Sequence, residues 1–291
     1  MVEFPRYPTI DEVFEDWRWD GEKWVCTIPI GTVRFRYGLL QFWDGDDWDT
    51  IPIPSPELTV TTQIFDAPGA YTYYPPSGLT HAIVECWAAG GGGGGALTSG
   101  SASLAGAGAG GGQGAYVRST LSATIIGPSQ SLYVGAGGAG GSGTANVAAA
   151  TGLIGEASRF GSPVGLLLLA APGEGGAPYF ADDVLIPVAG DGGLAENSIG
   201  QIRTGGIAGF PGFTVEGWNR AGGGVGWSIQ GLGGGNSEDP RPIRNSTFAG
   251  ENGGPSAGGN GGVVFGVSSP SRTIAGGRGG NGRVVVTEFR L

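Results

Sequence analysis

The chain has a single histidine, His81. Catalytic triads and histidine-rich metal sites need an imidazole beside a nucleophile, a carboxylate or further imidazoles. His81 instead opens an apolar run, His81-Ala82-Ile83-Val84-Glu85-Cys86-Trp87, shortly after a Pro75-Pro76-Ser77-Gly78 turn. Six consecutive glycines, Gly90 to Gly95, satisfy a loose phosphate-loop pattern, but the lysine of such a loop is missing and no helix context follows. Asp44-Gly45-Asp46-Asp47 looks like a fragment of a calcium loop, and Asp182-Asp183 is a second carboxylate pair. Calcium needs more oxygen ligands than either cluster supplies, so both read as solvated turns. The 25 acidic residues show no spacing that marks out a glycosidase pair. The chain reads as non-enzymatic, with no catalytic residue, metal or cofactor.

What the side chains do offer is aromatic rings next to hydrogen-bonding groups. Phe210, Phe213, Trp218, Asn219, Arg220, Trp227, Arg241 and Arg244 fall between or inside glycine-rich stretches, and Tyr179, Phe180, Asn236 and Asn245 extend the set. Sugar rings and protein loops are bound by such combinations. The competing reading has these aromatics clamping a glycine scaffold. Cys26 and Cys86 can form one bridge or stay as two partly buried thiols, and the second reading is preferred.

The elements that must hold these residues are short strands. Trp19-Asp20-Gly21-Glu22-Lys23-Trp24 is echoed by Trp43-Asp44-Gly45-Asp46-Asp47-Trp48. Asp-Gly between aromatics marks a tight hairpin, with the paired tryptophans facing each other across it. Pro52, Pro54 and Pro56 then stop strand pairing. Residues 1–56 are therefore expected to form a Trp-rich β module, and residues 57–291 a second, glycine-rich domain. Strands are expected at Ala115–Leu121, Ser131–Val134, Gly165–Ala171, Val184–Val188, Gly261–Val267 and Arg283–Thr287, with one helical turn over Asp11–Trp17. The fold class is all-β: a small N-terminal β-hairpin module followed by a glycine-rich β-sandwich with packed polyglycine II segments.

Glycine supplies 63 of 291 residues, about three times its usual ~7% share. The absence of a Gly-X-Y period excludes collagen. A hydrophobic fraction of 40% and a charged fraction of only 14% argue against disorder. Structureless loops as long as Gly106–Gly114 or Gly222–Gly235 do not belong inside a compact domain. Without Cβ atoms, however, extended helices of three residues per turn can pack backbone to backbone. The net charge of −10 leaves no basic surface for nucleic acid. Acidic residues across Met1–Asp20 fit neither a signal peptide nor a membrane span.

Phe65-Asp66-Ala67-Pro68-Gly69, the run Leu79 to Ala89 with the glycines after it, Tyr133-Val134-Gly135-Ala136-Gly137-Gly138, and Gly282 to Phe289 together resemble the glycine-rich domain of bacteriophage tail-fibre and adhesin proteins. The resemblance spans roughly residues 64 to 289. It implies a virion structural protein, a tail-fibre or tail-tip adhesin subunit that is assembled in the host cytoplasm and binds the bacterial surface. It further implies a homotrimer, contacts with other virion tail proteins, and a host glycan or outer-membrane protein as receptor. On this reading Phe210, Phe213, Trp218, Asn219, Arg220, Trp227, Arg241 and Arg244 contact the receptor, while Trp19, Trp24, Trp43 and Trp48 dock to the particle. A purely structural virion protein, a head-decoration or fibre-shaft subunit, is the alternative.

Overall fold

The computed structural model describes residues 13–14, 17–19, 22, 24–26, 32–36, 39–43, 46–51, 57–97, 106–142, 149–180, 187–215, 218–222, 247–250, 252–259, 261, 263–264 and 273–291. The chain divides into two compact units, Met1–Glu57 and Leu58–Leu291. The fold is mostly β, with several antiparallel sheets.

In the first unit, β1 (Val13–Phe14), β2 (Trp17–Trp19) and β3 (Trp24–Cys26) form one sheet. β4 (Val33–Arg36), β5 (Leu39–Trp43) and β6 (Trp48–Thr50) form another. The expected hairpins are present: Trp19 is paired with Trp24, and Trp43 with Trp48. Of Asp11–Trp17, where one helical turn is expected, Val13, Phe14 and Trp17 are in strands and the other residues lie outside the described ones. Phe14 pairs antiparallel with Trp17, and a single isolated helical turn has too few hydrogen bonds to offset its nucleation cost.

The second unit is built around two sheets. One has the order β17 (Ile202–Thr204), β12 (Tyr116–Ser122), β9 (Leu79–Trp87), β23 (Arg283–Arg290), β7 (Thr59–Phe65). The other runs β15 (Gly165–Ala170), β14 (Ser158–Ser162), β13 (Gln130–Val134), β8 (Gly69–Tyr73). Alternation decides which side chains turn inward. Ala82, Val84 and Cys86 of β9, Val117 and Leu121 of β12, and Val284 and Val286 of β23 share one buried cluster with Tyr73, Leu132, Val134, Phe160, Leu168 and Ala170. A bulge after Phe160 is absorbed by Gly161 at φ 107°. After β12 comes a single helical turn, α1 (Ala123–Ile126), capped by the Ser122 hydroxyl and closed by Gly127 at φ 70°.

Strands of both sheets continue into glycine tracts. Nine are hydrogen-bonded among the described residues: tract 1 (88–95), tract 2 (109–115), tract 3 (135–142), tract 4 (150–156), tract 5 (171–177), tract 6 (188–193), tract 7 (206–212), tract 8 (253–259) and tract 9 (275–282). The N–H groups of tract 1 rotate among three neighbours. Ala88, Gly91 and Gly94 donate to tract 2; Ala89, Gly92 and Gly95 to tract 4; Gly90 and Gly93 to tract 9. Its carbonyls accept from tracts 3, 5 and 8. Tract 1 is thus enclosed by six others. Tract 2 repeats the pattern, donating in turn to tracts 5, 7 and 8 and accepting from tracts 1 and 6. Every N–H from Ala88 to Gly95 therefore has a backbone partner, which removes much of the cost of burying such a segment.

The connectivity of these bonds gives three layers. Tracts 3, 1, 2 and 7 form the middle one, tracts 4, 5 and 6 lie on one side, and tracts 8 and 9 on the other. Where backbone meets backbone, a Cβ has no room. Added to Gly90, Gly91 or Gly92 it would overlap the carbonyl of Ala257, Glu174 or Ala139, each on a different neighbouring tract. The outer tract 7 has fewer neighbours and needs glycine only at every third position. Gly206 and Gly209 face tract 2 and Gly212 faces Ala107 just before it, whereas Ile207, Ala208, Phe210 and Pro211 are exposed.

At the ends of the tracts away from the two sheets, ordinary pairing resumes. β10 (Ala96–Leu97) joins β16 (Tyr179–Phe180) and β22 (Thr273–Ile274). β11 (Gly106–Ala107) joins β21 (Val263–Val264) and β20 (Thr247–Phe248). Within Val184–Val188, residues 184–186 lie outside the described residues, and Pro187 and Val188 are not in a strand. Of Gly261–Val267, only Val263–Val264 is a described strand.

Candidate functional site

Tract 7 leads out of the bundle into a hairpin, β18 (Phe213–Val215) and β19 (Trp218–Gly222). Phe213 pairs with Gly222 and Val215 with Trp218, with a bulge between Thr214 and Val215. Four of the aromatic and polar candidates, Phe213, Trp218, Asn219 and Arg220, are therefore carried on one two-stranded element. A fifth, Phe210, sits just before it on tract 7, with its carbonyl held by Gly110 N–H at 3.0 Å and its side chain 49% exposed. A large ring is thus presented to solvent from a backbone fixed by the bundle. Trp227, Arg241 and Arg244, with Asn236 and Asn245, lie outside the described residues. Tyr179 is buried, its ring lying where a side chain on Gly106 would have to go, which fits a clamp better than a contact surface.

The chain leaves the first unit and enters the second at Leu58, next to β7. This end of the two sheets is opposite the one from which the tracts run. In the first unit, the Trp43 and Trp48 rings are 5.6 Å apart and the Arg34 guanidinium lies 3.8 Å from the Trp48 ring centre. Trp43 is buried against this hairpin. Trp19 and Trp24 are brought together by strand register. Of the supposed calcium loop, Asp46 and Asp47 are exposed, and the Asp47 carboxylate accepts from its neighbour's Trp48 N–H at 2.7 Å, as in a solvated turn. Among the described residues no group of three or more His, Cys, Asp or Glu could hold a metal ion. Asp182 and Asp183 lie outside them.

Sequence reasoning missed a buried acid. Glu288 continues the inward series Val284, Val286 on β23 and is 3% exposed. Its carboxylate accepts from the Thr61 hydroxyl, from Gln63 Nε2 at 2.8 Å and from the Tyr73 hydroxyl at 2.9 Å. Three donors satisfy the charge without a cation. Because Tyr73 belongs to the other sheet, the bond also ties the two sheets together. Burial, then the hydrogen bond to Glu288 and its charge, push the Tyr73 phenol well above its ordinary 10.0. The alternation on β23 marked position 288 as inward, but nothing in its residue type said so.

A second cluster is exposed. The Tyr133 hydroxyl donates to Glu156 at 2.6 Å, and Arg159 lies 5.0 Å from the Tyr133 ring. That bond and the Ala136 N–H hold the Glu156 carboxyl below its usual range. Glu156 thus fastens tract 4 to both β13 and tract 3. Cys86 is free and fully buried, and burial raises its thiol far above the reactive range. His81 stacks on Phe289 with ring centres 4.5 Å apart, a cross-strand pair on the sheet surface. A shallow hollow of about 250 Å³ is lined by Ile154, Leu169, Glu174, Asp191, Leu194 and Asn197.

The arrangement is a mostly β protein with a glycine-tract bundle that exposes side chains at its margins. The family model for the glycine-rich domain matches residues 66–288, and the chain belongs to that family. No curated protein matches the chain.

Proposed function

We propose that the chain is a non-catalytic virion subunit, a bacteriophage tail-fibre or tail-tip adhesin that binds the host surface through the tract ends. In this reading the tracts are threefold extended helices of the polyglycine II type, and the two sheets form a sandwich that anchors them. One observation carries the reading: successive N–H groups from Ala88 to Gly95 point in turn to three different neighbours, as a helix of three residues per turn requires. A backbone bonded on all sides is rigid, so residues at its margin are displayed at little ordering cost on binding.

Further support comes from the placement of the candidates: Phe210, Phe213, Trp218, Asn219 and Arg220 follow one another at the outlet of tract 7. The first unit, with its paired tryptophans, is read as the part that attaches the subunit to the particle. The receptor class is a bacterial glycan or an outer-membrane protein loop.

The test is binding of the full chain to a panel of bacterial envelope preparations, compared with Phe210→Ala and with the double variant Trp218→Ala, Arg220→Ala. Binding weakened at least ~10-fold is expected if these are interface anchors. Undiminished binding removes the site. Binding to no preparation favours a purely structural virion subunit.

A further inference from the structure

Exposed sheet edges are open templates for strand pairing, and proteins usually blunt them with short strands, charges, proline or a covering segment. Three of the four edges of the two large sheets are modest or managed. β17 has three residues and carries Arg203 at its centre. Leu169 on β15 is covered by Ile199, through backbone bonds of 3.0 and 2.8 Å. β8 has five residues and starts on Gly69 at φ 141°.

β7 is different. Its seven residues, Thr59-Val60-Thr61-Thr62-Gln63-Ile64-Phe65, include no charge, proline or glycine. Among the described residues β7 pairs with β23 alone, along its whole length. Val60 is 50% and Ile64 60% exposed, and Thr59, Thr62 and Gln63 are exposed as well. A long, uncharged, β-branched edge of this kind accepts another extended strand.

The sequence of the edge also says which strand. We propose that β7 pairs antiparallel with β7 of a second copy of this chain, about a twofold axis through Thr62. In that register Val60 lies opposite the partner's Ile64, and Thr62 opposite the partner's Thr62, all on one sheet face. β-branched pairs flanking a threonine pair are favourable cross-strand neighbours. The charges that bracket the strand, Glu57 and Asp66, then face the partner's Ala67 and the partner's Leu58, so no like charges meet. A shift of register by two residues in either direction unpairs the ends of the strand. An isologous contact closes at two copies, and the five-stranded sheet becomes a continuous ten-stranded one. The stoichiometry is two, in contrast to the threefold association that the family resemblance implies.

Sedimentation of the full chain at micromolar concentration is expected to give twice its 29.2 kDa mass. Thr62→Lys, which sets two ammonium groups face to face on the axis, is expected to sediment as a single chain with an unchanged circular-dichroism spectrum. Thr62→Cys in a Cys26→Ser background is expected to cross-link to a double-mass species under mild oxidation, and Thr59→Cys in the same background is not. Should Thr62→Lys fail to fold, the cysteine pair decides. A single-chain or threefold wild-type mass, a Thr62→Lys dimer, or no cross-link through Cys at 62 would each overturn the proposal.

Discussion

Adjacent residues of one tract have opposite tolerance for the same small change. Gly138 donates to Gly90, and a Cβ there would overlap the Leu153 carbonyl, while Ala139 beside it is exposed. Gly138→Ala is expected to cost at least ~3 kcal/mol, the top of the usual overpacking range, because the obstacle is backbone and cannot swing away. Ala139→Ser should stay within ~0.5 kcal/mol. Thermal or denaturant midpoints of the two variants read this contrast directly. The buried acid gives a second residue-scale expectation. Tyr73→Phe removes one of three donors to a buried carboxylate and should cost about 1.5–3 kcal/mol in a chemical-denaturation measurement.

At the scale of elements, the Trp43–Trp48 hairpin is stabilised by a tilted ring pair and by Arg34 above Trp48. Trp48→Ala should lose about 1–2 kcal/mol from that sheet, seen as a lower melting midpoint together with loss of the ring-coupling signal in near-ultraviolet circular dichroism. This element was legible in the sequence, since Asp-Gly between tryptophans specifies a turn and a register in six residues. β12, β13, β15 and β23 were legible for a similar reason, each carrying Val, Leu or Tyr in a short run beside turn-prone residues. β14, Ser-Arg-Phe-Gly-Ser, was not. Only Phe160 marks it, and its strand identity comes from pairing with Leu132 and Leu168 in distant parts of the chain. α1 was hidden likewise, because a four-residue turn is too short to show a helical period. The tracts show both sides of this. Their glycine content foretold backbone packing, but the order of neighbours, and hence the Tyr179 clamp, depends on contacts between segments far apart in sequence. The site was half visible: Phe213, Trp218, Asn219 and Arg220 were chosen for their chemistry, and the hairpin that gathers them is set by tertiary pairing.

The whole molecule couples two sheets to a bundle with little side-chain core, and its stability should depend on pH in a defined direction. Burial and neighbouring carboxylates raise the phenols of Tyr73 and Tyr116 above the ordinary 10.0, and burial raises the Cys86 thiol above 9.0. In the unfolded chain these groups lose their protons near those ordinary values, while in the folded chain they keep them to higher pH. Their contribution is therefore fully present below about pH 9 and declines as the pH rises past 10. Denaturant midpoints should fall steadily above that point, with phenolate absorbance of the buried tyrosines appearing only as the protein unfolds. An unchanged midpoint across that window would mean these groups are not held in the sheets as described.

All of this presumes that the backbone from Ala88 to Gly95 is bonded in rotation to tracts 2, 4 and 9. Residue-resolved amide hydrogen exchange tests that claim without mutation. These eight amides should exchange as slowly as those of β9, which lead directly into them, because both open only when the unit unfolds. If they exchange at the rate of an unstructured glycine peptide while β9 stays protected, the bundle does not exist in solution and the scaffold it provides is lost.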